Sequence, residues 1–351
     1  MARNKVQFQK GLSLNEFLKE YGTEEQCFDA LYALRWADGF RCPFCGHDQC
    51  CQLTVRKLQQ CNRCRNQTSI TAGTIFESTK LPLTVWFQAM YLLTQNKKGV
   101  SAMSLHRQLG ISYNAAWRTK HKLMQVMLER DEDQPLSGFV EVDDAYLGGE
   151  RTGGKVGRGA AGKTPFVAAV ETTPEGCPKR IKLSVVKGFR SAEIKAWSQQ
   201  HLTHGSIVIS DGLACFNAVT EAGCLHDRIV CGGGRASVEE PEFYWVNTVL
   251  GNLKSALRST YHAIGSKHSQ QYLADYQYRF NRRFDLKALI PRLAFAALRT
   301  RRGGAGCSVK RGVTSSQLSR LRAALSFFKA EPQPPGDSMV TQIKKGLARI
   351  G

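Results

Sequence analysis

Two Cys-x-x-Cys pairs, Cys42 with Cys45 and Cys61 with Cys64, stand fifteen residues apart in the first fifth of the chain. Zinc takes four tetrahedral thiolates, and two such knuckles on adjacent turns supply them. Each pair sits among turn-forming residues (RCPFCGH, QCNRCRN), which frees backbone amides to point at the sulfurs. The spacing predicts a zinc ribbon over 39–80, with structural Zn2+ on Cys42, Cys45, Cys61 and Cys64. His47, Cys50 and Cys51 could stand in as ligands, but the set is complete without them. The 12 cysteines leave 12 − 4 = 8 others, scattered without pairing rhythm. In a chain with no visible secretory signal, that pattern reads as a metal site plus reduced thiols, not a disulfide framework.

Charge narrows the partner. Lys+Arg is 49 and Asp+Glu is 29, a formal net charge of +20 over 351 residues, which points to a polyanion and first of all to nucleic acid. Hydrophobic content of 42% is too high for a disordered basic tail, and no apolar run reaches the roughly 18 residues of a membrane span. Membrane-spanning, secreted and acidic-partner readings are disfavoured, and a cytoplasmic location is expected.

Periodicity divides the rest. Residues 12–38 read as helix (Leu12, Leu14, Phe17, Leu18, then Cys27, Phe28, Leu31, Leu34), so 1–38 is an N-terminal helical segment. After the ribbon, a helix starts at Leu83, a second runs from Ser101 to Leu109, and a third from Ser112 to about Arg130, giving a helical module over 81–130. The polar stretch DEDQPLSG closes it. Beyond lie short β-branched strands: FVEVDDAYL, PFVAAVE, IKLSVVK, SIVIS and RIVCG. SAEIKAWSQQHL is helical between the third and fourth, and two long helices follow, around WVNTVLGNLKSALRSTYH and QYLADYQYRFNRRF. The order β-β-β-α-β-α-β-α predicts an α/β fold over 135–300, a mixed sheet flanked by helices. Residues 301–351 form a basic tail with a short helix around SSQLSRLRAALSFF.

Within the helical module, Gly110 turns one helix into the next and Ser112 is placed to cap the second. The pattern suits a helix-turn-helix whose second helix presents Tyr113, Asn114, Arg118, Lys120, His121 and Lys122 to DNA, with Ala116, Leu123 and Met127 inward. An ordinary helical hairpin with a solvated basic face fits the same pattern. Gly157 to Thr164 matches the phosphate-binding loop GxxxxGKT, but Pro165 and a strand follow where that loop needs a helix, so no nucleotide triphosphate site is expected. Arg151, Lys155, Arg158 and Lys163 are instead available for DNA phosphates.

Asp143 interrupts an apolar half-buried strand, and Asp211 follows SIVIS at its carboxyl end. Two such acids can converge on hard divalent cations, although turn-capping aspartates look the same in sequence. Asp144 should point to the opposite face, because strand side chains alternate.

Taken as a chain of motifs, VEVDDAYLGGE, GKTPFVAAVE, VISDG, WVNTVLGNLKSALRSTYHAI and QYLADYQYRFNRRF resemble the ISXO2-like insertion-sequence transposases, the IS1595 group, over about residues 15–300. The resemblance implies a zinc ribbon ahead of a ribonuclease H-like domain. It also implies a metal site of Asp143, Asp211 and Asn247 for Mg2+ or Mn2+, and Lys254 seven residues after Asn247 to bind a phosphate. The third position is glutamate in some members and asparagine in others; Asn247 brings a neutral carbonyl instead of a charge. Glu239, Glu240 and Glu242 precede the helix but do not match the motif. His262 lies in the STYH stretch and is a minor candidate. The implied activity is cleavage and strand transfer of double-stranded DNA at terminal inverted repeats and target sites, by a homo-oligomer associated with the nucleoid. A DNA-binding regulator with a decayed catalytic domain, and a nuclease or resolvase on the same fold, are the alternatives.

Overall fold

The computed structural model describes residues 11–132, 134–148, 162–230, 241–261 and 263–301. Arg151, Lys155, Arg158, Glu239, Glu240, His262 and the tail helix lie outside the described residues. The chain divides into two units, Met1–Tyr91 with Asp285–Gly351, and Leu92–Phe284.

In the first unit, α1 (Leu14–Tyr21) and α2 (Glu24–Arg35) each open on a capping box, Ser13 with Glu16 and Thr23 with Gln26. The one helix expected over 12–38 is therefore two. Thr23 takes an extended backbone so that its hydroxyl can accept the Gln26 amide at 3.2 Å, which ends one helix and starts the next. The ribbon strands β1 (Cys50–Leu53), β2 (Leu58–Cys61) and β3 (Gln67–Ser69) form an antiparallel sheet in that order. Arg35 ties α2 to the ribbon by donating to the carbonyls of Ile70 and Ala72 at 2.5 and 2.7 Å. The Glu24 carboxylate accepts the Leu83 and Thr84 amides (2.9 and 3.1 Å) that open α3 (Leu83–Gln95), satisfying donors with no partner inside the helix. Phe17, Tyr21, Phe87 and Tyr91 pack as a ring cluster with centroids 4.7–5.7 Å apart. Residues 285–301, placed by periodicity with the catalytic domain, group with this unit, because the almost wholly buried helix Leu289–Ala297 packs on α2.

In the second unit, α4 (Ala102–Leu109) is capped by Ser101 and ends on Gly110 in the left-handed region (φ 64°). Ser112 accepts the Ala115 amide at 3.2 Å and starts α5 (Tyr113–Glu132). Ala116, Leu123 and Met127 are buried and Tyr113, Asn114 and Arg118 exposed, whereas Lys122 is half-buried. Lys120 and His121, expected on the solvent side, are corrected to the interior, 1% and 7% exposed. The buried positions 116, 120, 123, 124 and 127 make one helical stripe, and it packs against α8 (Ser269–Asn281), so spacing overrides charge. Lys120 donates to the Tyr261 hydroxyl at 2.8 Å and lies over the rings of Tyr261 and Tyr272; burial pulls its pKa down to about 8.

Five strands form the main sheet in the order β6-β5-β4-β7-β8: β4 (Phe139–Leu147), β5 (Thr164–Thr172), β6 (Pro178–Val185), β7 (Ile207–Ser210) and β8 (Leu225–Arg228). β4, β5 and β6 are antiparallel neighbours, while β7 runs parallel to β4 and β8 to β7. The fifth strand thus lies a few residues before the expected RIVCG, and the turn between β7 and β8 is a 3-10 helix, Ala214–Ala222. Thr164 opens β5 directly, so a strand does follow the glycine loop. Alternation gives the sheet two apolar faces. Val140, Val142, Val167, Ala169 and Val208 face α6 (Ser191–His201) and the 3-10 segment. Ala145, Phe166, Ala168, Ile181 and Leu183 share a core with α7 (Tyr244–Thr260) and α8.

The outer edge of β6 is closed by side chains. Gln270, Gln277 and Asn281 on α8 accept the amides of Val185, Leu183 and Ile181 at 2.6, 2.8 and 2.8 Å. Gln270 and Asn281 also donate to the carbonyls of Leu183 and Ile181 at 3.0 and 3.1 Å. Every second residue of the strand is thereby hydrogen-bonded outward without another strand beside it.

Candidate functional site

Both zinc knuckles fold the same way. In the first, the Cys42 amide donates to His47 O and the Gly46 amide to Cys42 O; in the second, Cys61 donates to Asn66 O and Arg65 to Cys61 O, at 2.9–3.0 Å throughout. Gly46 and Arg65 hold the matching left-handed position (φ 74° and 59°). The four sulfurs lie within 4.8 Å of one another, with Cys42 to Cys64 at 3.5 Å and Cys45 to Cys61 at 3.6 Å. Zn–S bonds of about 2.3 Å at tetrahedral angles need S···S near ~3.8 Å, so the donor set fits zinc. Desolvation opposes ionisation, but hydrogen bonds from the Cys45 and Phe44 amides and from the Cys64 and Cys45 thiols together pull the Cys42 thiol down to about 6. Cys50 donates to the Gln59 side chain, Cys51 is exposed and His47 lies beside Asp48, so none of the three joins the quartet.

The second site lies where the central parallel pairing stops, in the middle of β4 and at the carboxyl end of β7. Pairing of β4 with β7 ends at Val142 opposite Ser210. The next residue on each strand is an aspartate, Asp143 and Asp211, side by side by register. Asp144 joins them: oxygens of Asp143, Asp144 and Asp211 lie within 4.8 Å of one another. Asp144 leaves the opposite face of β4 from Asp143, as alternation expects, since their register partners Val167 and Ala168 belong to opposite cores. The short carboxylates still meet because β7 no longer flanks this edge of β4 beyond Val142. Asp143 accepts the Asp144 amide at 2.8 Å, and Asp211 accepts the Leu213 amide at 3.1 Å, which fixes both carboxylates. Burial first, then the charges of Asp144 and Asp211, push Asp143 up to about 7; the Asp144 amide and the Lys254 charge pull it back. A carboxylate group this crowded is relieved by a cation, and hard oxygen donors suit Mg2+ or Mn2+.

α7 carries the remaining implied residues. Asn247 is half-buried and Lys254 exposed, seven residues apart and so on one face. The start of α7 is held from β4. Phe243, at its N-cap, offers no side-chain bond, and instead the buried Glu141 carboxylate accepts the amides of Trp245 and Val246 at 3.0 and 2.8 Å. Burial pushes Glu141 up to about 7, against the pull of those two amides. Glu141 shares the strand face of Asp143, two residues on. Sequence reading passed over it, although an acid at i−2 from Asp143 in an apolar strand was a visible signal. Lys163 is half-buried at the base of the β4–β5 connection, beside Gly148.

Known proteins match both regions of the chain. Residues 135–281 match the ISXO2-like transposase domain, and residues 22–67 match the transposase zinc-ribbon domain. A protein of Halobacterium salinarum, described as an uncharacterized protein in transposable element ISH50, is 26% identical over 134 residues, 37% of this chain and 44% of that protein. The chain thus spans less than half the length of that relative. The zinc ribbon and, after it in the chain, the mixed sheet whose β4 and β7 bring three aspartates together are thus a transposase zinc-ribbon domain and an ISXO2-like transposase domain.

Proposed function

We propose that this transposase cuts DNA at the ends of its element and joins those ends to target DNA, with the reaction centred on Asp143, Asp144, Asp211 and Asn247. The observation that carries the reading is the meeting of three carboxylates where the pairing of β4 with β7 stops. Mg2+ or Mn2+ held there would supply charge stabilisation to both the attacking and the leaving oxygen of an in-line phosphodiester displacement. Asp143 and Asp211, fixed by neighbouring amides, anchor the cations, and Asn247 adds a neutral carbonyl. Asp144 supplies the negative charge that asparagine lacks, so the set still holds three carboxylates. Lys254 binds a phosphate next to the scissile bond, and its charge also offsets repulsion at Asp143.

End recognition falls to the ribbon and to the α4–α5 hairpin, through Tyr113, Asn114, Arg118 and Lys122, with Lys163 before β5 and, from the sequence, Arg158 binding phosphates. Lys120 leaves this set because it is buried. Partners are then the terminal inverted repeats and target DNA, engaged by a nucleoid-associated homo-oligomer with no nucleotide triphosphate. The reading as a decayed regulator rests on Asn247 alone. Metal-dependent cleavage and joining of a fragment bearing the element's end tests the two. Activity in wild type that is lost in Asp143→Asn and Asp211→Asn supports the enzyme. An inactive wild type rescued by Asn247→Glu establishes decay, and full activity in Asp143→Ala refutes the site.

A further inference from the structure

α7 contains a glycine for which its own fold gives no reason. Gly251 lies mid-helix, where glycine is destabilising relative to alanine. A Cβ added there would meet nothing within 4 Å. Packing does not demand the missing side chain, so the bare helix surface points to something outside the chain that comes close. The surroundings indicate its chemistry. Gly251 opens a surface depression with Lys254, Ser255, Arg258 and Ser259, and no carboxylate lines it. Ser259 already donates to the Ala256 carbonyl at 3.1 Å, which leaves Lys254, Ser255 and Arg258 as donors toward a ligand. Positions 247, 251, 254 and 258 recur at helical spacing, so Asn247 begins the same stripe. Asp143 feels the charge of Lys254, so the depression leads away from the aspartates themselves. Lys254 and Arg258 are one turn apart, about 6 Å along the axis, comparable to the step between neighbouring phosphates on one strand.

We propose that this stripe of α7 is a rail for the DNA strand entering the aspartate site, its sugar–phosphate backbone lying against Gly251 and its phosphates held by Ser255 and Arg258. The inference rests on the strand-cleaving function proposed above and adds where the strand runs beyond the reacting phosphate. The contacts are to backbone alone, so they are independent of base sequence.

The test uses the full-length, zinc-loaded protein and a fluorescein-labelled duplex of random sequence, read by anisotropy across a salt series, with thermal unfolding in parallel. Gly251→Ala should raise the melting temperature by about 1–4 °C, as a helix-favouring change does, yet weaken binding severalfold. No purely structural role of the glycine yields both. Arg258→Ala should reduce the slope of log affinity against log salt by about one, and Arg258→Lys should restore it. Wild-type affinity in both alanine variants overturns the rail, and so does a destabilised Gly251→Ala, because the glycine would then serve the fold. Mn2+-dependent nicking by Asp143→Asn is measured alongside. Nicking that survives in that variant overturns the underlying function; nicking lost there, with unchanged binding in Gly251→Ala and Arg258→Ala, overturns the rail alone.

Discussion

Replacing Glu141 should loosen the catalytic helix before it touches any reacting group. Its carboxylate, 6% exposed, accepts the Trp245 and Val246 amides at 3.0 and 2.8 Å. These are the second and third amides of α7, the pair an N-cap side chain ordinarily satisfies. Hydrogen bonds to a charged group contribute about 1.5–3 kcal/mol each, and buried donors left bare cost about 1–3 kcal/mol. Against this stands relief of the burial that pushes Glu141 up to about 7. Glu141→Ala should therefore destabilise the Leu92–Phe284 unit by about 2–4 kcal/mol, or about 2–4 °C for each kcal/mol in a unit of this size. Glu141→Gln keeps one carbonyl acceptor and should cost about half as much. Hydrogen exchange is the sharper assay, because two units need not unfold together. Amide protection at Trp245 and Val246 should fall first, and the fraying should reach Asn247, the next residue of the helix. An alanine variant within about 0.5 kcal/mol of wild type, with protection at both amides unchanged, would refute the remote-cap argument.

Purified protein should carry one Zn2+ per chain, and Cys61→Ser should lose it and make the ribbon protease-sensitive; zinc unaffected by that change removes the ribbon site. Asp144→Ala should weaken Mn2+ binding about tenfold or more by calorimetry, since one of three negative anchors is gone, and wild-type affinity would return the third role to Asn247 alone. Burial holds His121 at about 4 and His201 at about 3, so both stay neutral in the fold while the unfolded chain takes up protons below about 6.5. Their contribution to stability is full above pH 6.5 and declines as pH falls toward 4; urea midpoints at pH 7 and pH 5 should converge in His201→Gln relative to wild type.

Local chemistry was legible in the sequence, and long-range packing was not. The four zinc cysteines could be read because ligands on two tight turns have fixed spacing whatever the rest of the chain does. Asp143 and Asp211 stood out as acids set against apolar strands. Alternation puts Asp144 on the far face of β4, as the register shows, but nothing in VEVDD says that β7 stops at Ser210 and leaves an open edge around which its carboxylate approaches the other two. Lys120 was placed in solvent on the strength of its charge, although Ala116, Leu123 and Met127 already defined the stripe that buries it. The helix Leu289–Ala297 joins the N-terminal unit through contacts with residues more than 250 positions away, which periodicity cannot report.

The amide side chains of α8 also limit how copies of this transposase can meet. An open sheet edge invites a strand from another molecule, and strand addition is a common way for α/β domains to pair. Along β6 that invitation is withdrawn, since Gln270, Gln277 and Asn281 occupy the donors and acceptors an incoming strand would need. A protomer approaching from that side would have to strip five hydrogen bonds before forming its own. A second copy is therefore not expected to add a strand there, and the β6 border of the sheet is left as neutral ground.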